Sequence, residues 1–235
     1  LGGLFRCLWL LRHLDLLIDK MNQKSSVLQI LKSVPRVLTS DKLYIAYFNR
    51  APDAIGLYFW GTALQNGLSL DDIAILFFDQ DETRTTYPDL TNLEGFAQQV
   101  YSNVLGRDFD QAGLDFWVNV LQDGSVQLST FMLEIIRGAK ANPQPGDSAE
   151  LTAQKLSDVE YLENKTDLGA YFSVINGMSD VENARTVMSL YNGSEESINA
   201  AKSSIDSFAF DAQDAVNGEF LMPLVGVIED PFAIV

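Results

Sequence analysis

Residues 44–67, YIAYFNRAPDAIGLYFWGTALQNG, lie over residues 101–124, YSNVLGRDFDQAGLDFWVNVLQDG, at a constant offset of 57 and without a gap. Ten of the twenty-four positions are identical: Tyr44/Tyr101, Arg50/Arg107, Asp53/Asp110, Gly56/Gly113, Leu57/Leu114, Phe59/Phe116, Trp60/Trp117, Leu64/Leu121, Gln65/Gln122 and Gly67/Gly124. Self-similarity at one period implies a supersecondary unit used twice, each copy burying its apolar face against its neighbour. A chain built this way is expected to be a stack of small bricks.

Each copy reads as helix, tight loop, helix, turn, helix. In the second copy, TNLEGFAQQVYSNVLG opens with Thr91-x-x-Glu94, the spacing of a capping box, and carries Phe96, Val100, Val104 and Leu105 at helical intervals. Gly106 is placed to end that helix in the left-handed conformation. Asp110 then stands where an N-cap belongs, its carboxylate able to accept the free N–H groups of the next first turn. Gly124 ends this second helix. The third is expected to turn Leu128, Met132, Ile135 and Ile136 inward, and in the first copy Ser69-x-x-Asp72 caps the matching helix.

The stretch KANPQPGDSAE, with Pro143, Pro145 and Gly146, breaks the chain after the second copy. Three helical segments come after it, beginning with DVEYLENKTDLGAYFSVING, which ends at Gly177. The next is capped by Ser179 or Asp180, and the last by Ser194 with Glu195 and Glu196 in its first turn. No segment alternates like a strand, so the expected class is all-α: tandem three-helix repeats plus a C-terminal helical segment. The expected divisions are an N-terminal extension at 1–39, the repeats at 40–141, the helical region at 150–208 and an acidic, apolar tail at 209–235.

Charge excludes some functions. The formal net charge is -16 over 235 residues, and no basic face is available to displace counterions from a nucleic acid. The first fifty residues hold eight Lys or Arg against three acids, the remainder eight against twenty-nine. Cys7 and His13 are the only cysteine and histidine, so after Met21 there is no thiol nucleophile, disulfide, Cys/His zinc site or imidazole base. LGGLFRCLWLLRHLDLLIDK is too broken by charge for a spanning helix or a signal core. Translation is expected to start at Met21; the other reading is a short amphipathic helix with Leu8, Leu11 and Leu16 on one side.

The polar members of the duplicated pattern invite two readings. One is chemistry: Arg107, Asp108 and Asp110 as a catalytic or calcium-binding cluster. Calcium takes six to eight oxygens with a closing bidentate carboxylate, whereas only Arg50/Arg107 and Asp53/Asp110 recur in both copies. The other is architecture, and it explains more. Asp53 and Asp110 cap helices, while Arg50 and Arg107 hold loose carbonyls or brace those carboxylates. Gly56 and Gly113 admit a neighbouring helix, and Trp60 and Trp117, with Phe59 and Phe116, fill the core. The duplicated Arg, Asp, Gly and Trp positions are assigned as a structural motif, with no catalytic and no metal-binding residue. No cofactor is expected. Calcium remains a candidate at Asp79, Asp81 and Glu82, in a stretch otherwise read as a solvated loop. Tyr44, Tyr47, Tyr58 and Phe109 are candidate exposed aromatics for stacking on sugars.

The pattern Y-x5-R-x2-D-x2-G-L-x-F/Y-W-x3-L-x2-G resembles a bacterial helical repeat family of unknown function found in type I secreted, S-layer-like and hemolysin-type surface proteins. YLENKTDLGAYFSVINGMSD and the residues after it are similar to the helical tail of such proteins, and the resemblance covers about residues 40–208. It implies a scaffold at the cell surface, in some relatives one that holds polysaccharide. The glycine–aspartate calcium nonapeptides of larger relatives are absent here.

After Lys202 the chain holds six acids, no base and the terminus DPFAIV. That ending resembles an uncleaved signal for type I secretion. The expectation is a non-enzymatic protein, secreted or held at the cell surface, that binds extracellular polysaccharide or lipopolysaccharide or associates with itself. Its partners would include type I secretion machinery, with no nucleic acid and no transmembrane segment. The alternatives are a carboxylate-dependent glycan-cleaving enzyme, needing two acids about 5–9.5 Å apart, and an intracellular helical adaptor.

Overall fold

A computed structural model describes residues 37–214, 216, 218–224 and 228–233. The readings made for residues 1–36, and the terminal residues 234–235, lie outside the described residues. The described chain is all α: ten α-helices and no strand.

The helices are α1 (Val37–Phe48), α2 (Ala54–Gln65), α3 (Leu70–Phe78), α4 (Asp81–Thr86), α5 (Leu93–Leu105), α6 (Gln111–Gln122), α7 (Leu128–Ala139), α8 (Ala149–Ala170), α9 (Val181–Leu190) and α10 (Glu195–Asp211). A π-helical turn at Tyr171–Ile175 prolongs α8. Helices α2 and α6 begin and end at positions 57 apart, as the offset requires. Short α4 is new: residues read as a loop form a helix of six residues.

Several ends are held as their residues dictate. Asp53 Oδ1 accepts from Gly56 N at 2.6 Å and Asp110 Oδ1 from Gly113 N at 2.7 Å, each satisfying one of the free donors of a first turn. Ser69 and Asp72 form the reciprocal capping box. Asp180 and Ser194 cap α9 and α10. Gly106 and Gly124 take positive φ. One cap differs from expectation. Asn92, not Thr91, caps α5 by accepting from Gly95 N, because Thr91 is drawn off by Asp89. Helix α8 also starts nine residues before the expected point, at the cap Ser148.

Helix α1 is the axis of the fold. Its side chains from Ser40 to Phe48 are all buried, including Asp41 and Lys42. It packs against α2, α3, α4, α5, α7 and α8, in keeping with the unbroken apolar run from Leu43 to Phe48 in its second half. The main core joins Tyr47, Phe77, Phe96, Phe131 and Met132 across both copies of the pattern, and Leu162 of α8 belongs to it. A second core gathers Phe172, Val187, Ile205 and their neighbours around α8, α9 and α10, and takes in Ala51. The breaker at 140–148 is therefore a turn that lets α8 fold back onto α1, α5 and α7.

The tail returns to the body. Met222 N donates to Gly177 O and Leu224 N to Val174 O, both at 2.8 Å, and Phe232 meets Tyr171 edge to face. Among the described residues no helix is long and apolar enough to cross a membrane.

Candidate functional site

The duplicated arginines do the same job in two settings. Arg50 gives Nε and Nη2 to the two oxygens of Glu82 at 2.8 and 3.1 Å, with Nη1 on Ala51 O and, at 3.3 Å, on Asp53 Oδ2. Glu82 also accepts from Arg185 of α9 at 2.7 Å. Arg107 gives Nε and Nη2 to Asp158 of α8, both at 2.6 Å, and its third contact is Asp108 O. Each guanidinium thus forks onto a carboxylate outside the pattern, a geometry that planar guanidinium supports and ammonium does not. For Arg50, burial opposes the charge, and the hydrogen bond and attraction of Glu82 outweigh it, holding the pKa above its ordinary value. For Arg107 the hydrogen bond to Asp158 is the largest influence and acts in the same direction. Arg50 braces Asp53 as expected. Arg107 makes no bond to Asp110.

Glu82 and Asp158 escape sequence reasoning as partners because nothing in their local sequence marks them. Glu82, a calcium candidate beside Asp79 and Asp81 in the sequence, is neutralised by two arginines, while Asp81 pairs with Arg84 and Asp79 ends α3. No group of three metal-ligating side chains occurs among the described residues.

The two settings differ in exposure. The Arg50 side chain is 5% exposed, held under Glu82 of α4, which Arg185 of α9 also grips; that of Arg107 is 28% exposed. Where the first copy has Ala51 and Pro52, the second has Asp108 and Phe109. Ala51 and Ala54 are tied down by backbone bonds to Ala184 and Met178, and among the described residues no such bonds tie down the matching positions of the second copy. A cleft of about 570 Å³ opens there instead. Its walls are Tyr101, Phe109 and Trp117 on one side and Leu151, Gln154 and Lys155 of α8 on the other, with the Arg107–Asp158 pair between. The Tyr101 and Phe109 rings stack at 3.5 Å, and Arg107 lies over Tyr101 at 4.8 Å.

This corrects the expectation that the pattern aromatics fill the core. Phe59 is 60% and Phe116 57% exposed, each folded edge-on against the neighbouring tryptophan. Trp60 and Trp117 are half-buried and rest on Phe77 and Phe131 at 5.0 and 5.3 Å. The helix turns one aromatic of each adjacent pair inward, because neighbours lie about 100° apart round the axis. Of the aromatics proposed for sugar stacking, Tyr44 and Tyr47 are buried and cannot serve; Tyr58 is exposed and Phe109 lines the cleft.

The glycines also part company. A Cβ on Gly56 would stand 2.1 Å from Tyr44 Oη, so a close approach does require that glycine. A Cβ on Gly113 would meet only Asp110 Oδ1 at 3.3 Å and Phe109 at 3.4 Å as its nearest neighbours. The expected second helix does not arrive there, since Tyr101 leans toward Phe109 instead.

The carboxylates of the cleft are occupied. Asp158 is clamped by Arg107 and also accepts from Gln154, Asp110 caps α6, and Asp108 accepts from Gln98. Lys155 is held by Asp147 at 2.7 Å, and that bond keeps the Asp147 carboxyl below its ordinary pKa. The surface left to meet a ligand is a set of ring faces and amide or carbonyl edges.

Residues 74–139 match the model of a domain of unknown function (DUF4214). The matched segment begins within α3 and ends with α7, so it contains the second copy of the pattern and the aromatic wall of the cleft. The opposite wall, from Leu151 to Asp158, lies beyond the matched domain, and the cleft is formed where that domain meets α8. No curated protein and no solved structure matches the chain.

Proposed function

We propose that this chain is a non-enzymatic, secreted protein of the bacterial cell surface that binds extracellular polysaccharide, and that the cleft between α5, α6 and α8 is where it does so. The observation that carries the reading is the lining: half-buried Tyr101, Phe109 and Trp117 beside Gln154 and a clamped ion pair. Sugar rings offer an apolar face and a rim of hydroxyls, which suit aromatic walls with a few fixed polar groups. A volume of about 570 Å³ falls in the ordinary range for ligand sites.

Cleavage is disfavoured by the state of the acids. A glycosidase needs one carboxyl to hold a proton and a second to face water or the sugar, whereas Asp158, Asp110 and Asp108 each already serve a structural partner. Export through type I secretion machinery is supported by the acid-rich, base-free end of the chain after Lys202.

A glycan array probed with the full chain tests the reading. Trp117→Ala and Phe109→Ala should each lower binding by about tenfold or more, in line with the loss of one stacked ring, while circular dichroism stays unchanged. Binding that survives both substitutions would place the glycan elsewhere. Removal of residues 230–235 should hold the protein inside the cell.

A further inference from the structure

A second hollow adjoins the cleft. It measures about 320 Å³ and is lined by Ser157, Glu160, Tyr161 and Asn164 of α8 together with Tyr191 and Asn192. The two hollows share Leu105 and Arg107 as walls. Along α8 their residues form one continuous stripe: Leu151, Gln154, Asp158, Tyr161 and Asn164, each three or four residues after the last. Such positions fall on one face of a helix, and the span from 151 to 164 is about 20 Å at the usual rise.

Resting on the glycan reading above, we propose that the two hollows are one groove, which holds an internal stretch of a neutral, unbranched polysaccharide along α8, with the Arg107–Asp158 pair as the sill between two sugar subsites.

The two ends differ in chemistry. The first presents Tyr101, Phe109 and Trp117, ring faces for stacking. The second is lined by Ser157, Tyr161, Asn164 beside its Tyr191 partner, and Asn192, whose Oδ1 accepts from Ser194 N and whose amide nitrogen is a further donor, side chains that exchange hydrogen bonds with hydroxyls. Tyr161 is held in place from several sides: its ring lies 4.8 Å from that of Tyr191, and a Cβ added to Gly106 would stand 2.3 Å from it. A chain rather than a single sugar is indicated because the walls run on past the sill. A neutral chain is indicated because the charges on the floor are already paired within the protein, Glu160 adds a negative group, and a formal charge of -16 repels a polyanion.

The test is an array of unbranched glucose, mannose and N-acetylglucosamine oligomers, one to six units long, printed beside uronic-acid oligomers of the same lengths. Binding of the full chain should strengthen on the order of tenfold between the shortest and longest neutral oligomers. Ser157 is exposed, so Ser157→Trp should fill the second hollow without disturbing the fold. It should abolish the gain with length and leave short oligomers bound, whereas Ser157→Ala should keep the gain. Binding that is lost with Trp117→Ala but is indifferent to length, or to Ser157→Trp, would overturn the extended groove and leave the cleft as a one-sugar site. Stronger binding of the uronic-acid series would overturn the neutral assignment. No binding to any printed oligomer would overturn both the groove and the glycan reading.

Discussion

Arg107 and Asp158, fifty-one residues apart, meet through two hydrogen bonds of 2.6 Å each and so fasten the α5–α6 loop to α8. The pair is half-shielded, with the Asp158 side chain 10% exposed. Removing the cation leaves a largely buried carboxylate at the cleft wall with Gln154 as its one remaining side-chain donor among the described residues. Arg107→Met should therefore cost about 2–3 kcal/mol in urea unfolding at pH 7. Arg107→Lys should recover less than half of this, because an ammonium cannot fork onto both oxygens. If both variants lie within about 0.5 kcal/mol of the parent, the contact is an ordinary surface pair and holds no wall of the cleft.

The duplicated glycines should respond in opposite ways. In Gly56→Ala the new methyl group collides with Tyr44 Oη, and Tyr44 is buried against Phe48 and Phe77 with no room to turn. A loss of about 1–3 kcal/mol is expected, the range for forced overpacking. In Gly113→Ala the nearest atom belongs to a surface carboxylate 3.3 Å away, and the helix gains from alanine. The net change should lie within about 0.5 kcal/mol of zero. Thermal melts of the two variants, side by side, decide the matter; equal losses would refute the difference in packing.

Local rules written into the chain were legible in advance. The caps at Asp53, Asp110, Ser69 and Ser194, the ends at Gly106 and Gly124, and the inward stripe of α5 all depend on residues a few positions apart, and they stand as expected. The features that escaped depend on distant partners. Glu82 and Asp158 carry no local mark of the arginines they meet, 32 and 51 residues away. Phe116 and Trp117 look alike as apolar residues, yet only the helix's orientation decides which faces Phe131. The cleft itself depends on what fails to cover the second copy: α9 reaches the first copy through Arg185–Glu82 and the Ala51–Ala184 bond, and nothing equivalent among the described residues covers Arg107. Similarity between the copies could not disclose that.

The docked tail makes a prediction at Gly177. This residue has φ +69 and passes so close to the tail that a Cβ would stand 2.2 Å from Pro223 N and 2.4 Å from the Met222 carbonyl carbon. Gly177→Ala must break the bond from Met222 N to Gly177 O or move the chain. Limited proteolysis should then release the end of the chain beyond α10 much faster than in the parent, with the α-helical signal largely kept. Resistance equal to the parent would show that the tail is not held at Gly177.

Two buried titratable groups lead the pH dependence of stability, with Lys42 and Asp167 shifted in the same senses. Asp41 lies wholly inside and neither oxygen has a hydrogen-bond partner among the described residues; burial pushes its carboxyl from 3.8 up to about 8, with Lys42 opposing and Asp167 adding to the rise. Lys165 is buried on α8, where Nζ donates to Asn103 O and Asn49 Oδ1, and burial pushes it from 10.5 down to about 8. From about pH 4 to 8 the unfolded chain releases the Asp41 proton while the folded chain keeps it. Stability should fall across that window, by at most about 1.4 kcal/mol per pH unit. Above about pH 8 the folded chain has released the Lys165 proton and the unfolded chain has not, so stability should turn upward until the tyrosines begin to ionise near pH 10. Urea midpoints at about pH 5, 6.5, 8 and 9.5 should thus pass through a minimum near pH 8. Asp41→Asn should reduce the slope of the falling limb and raise stability most at about pH 8, and Lys165→Met should reduce the rise on the alkaline side, leaving the part due to Lys42, whose pKa burial also lowers. A falling limb that persists unchanged in Asp41→Asn would assign the effect to other groups and show that Asp41 is solvated in the folded protein.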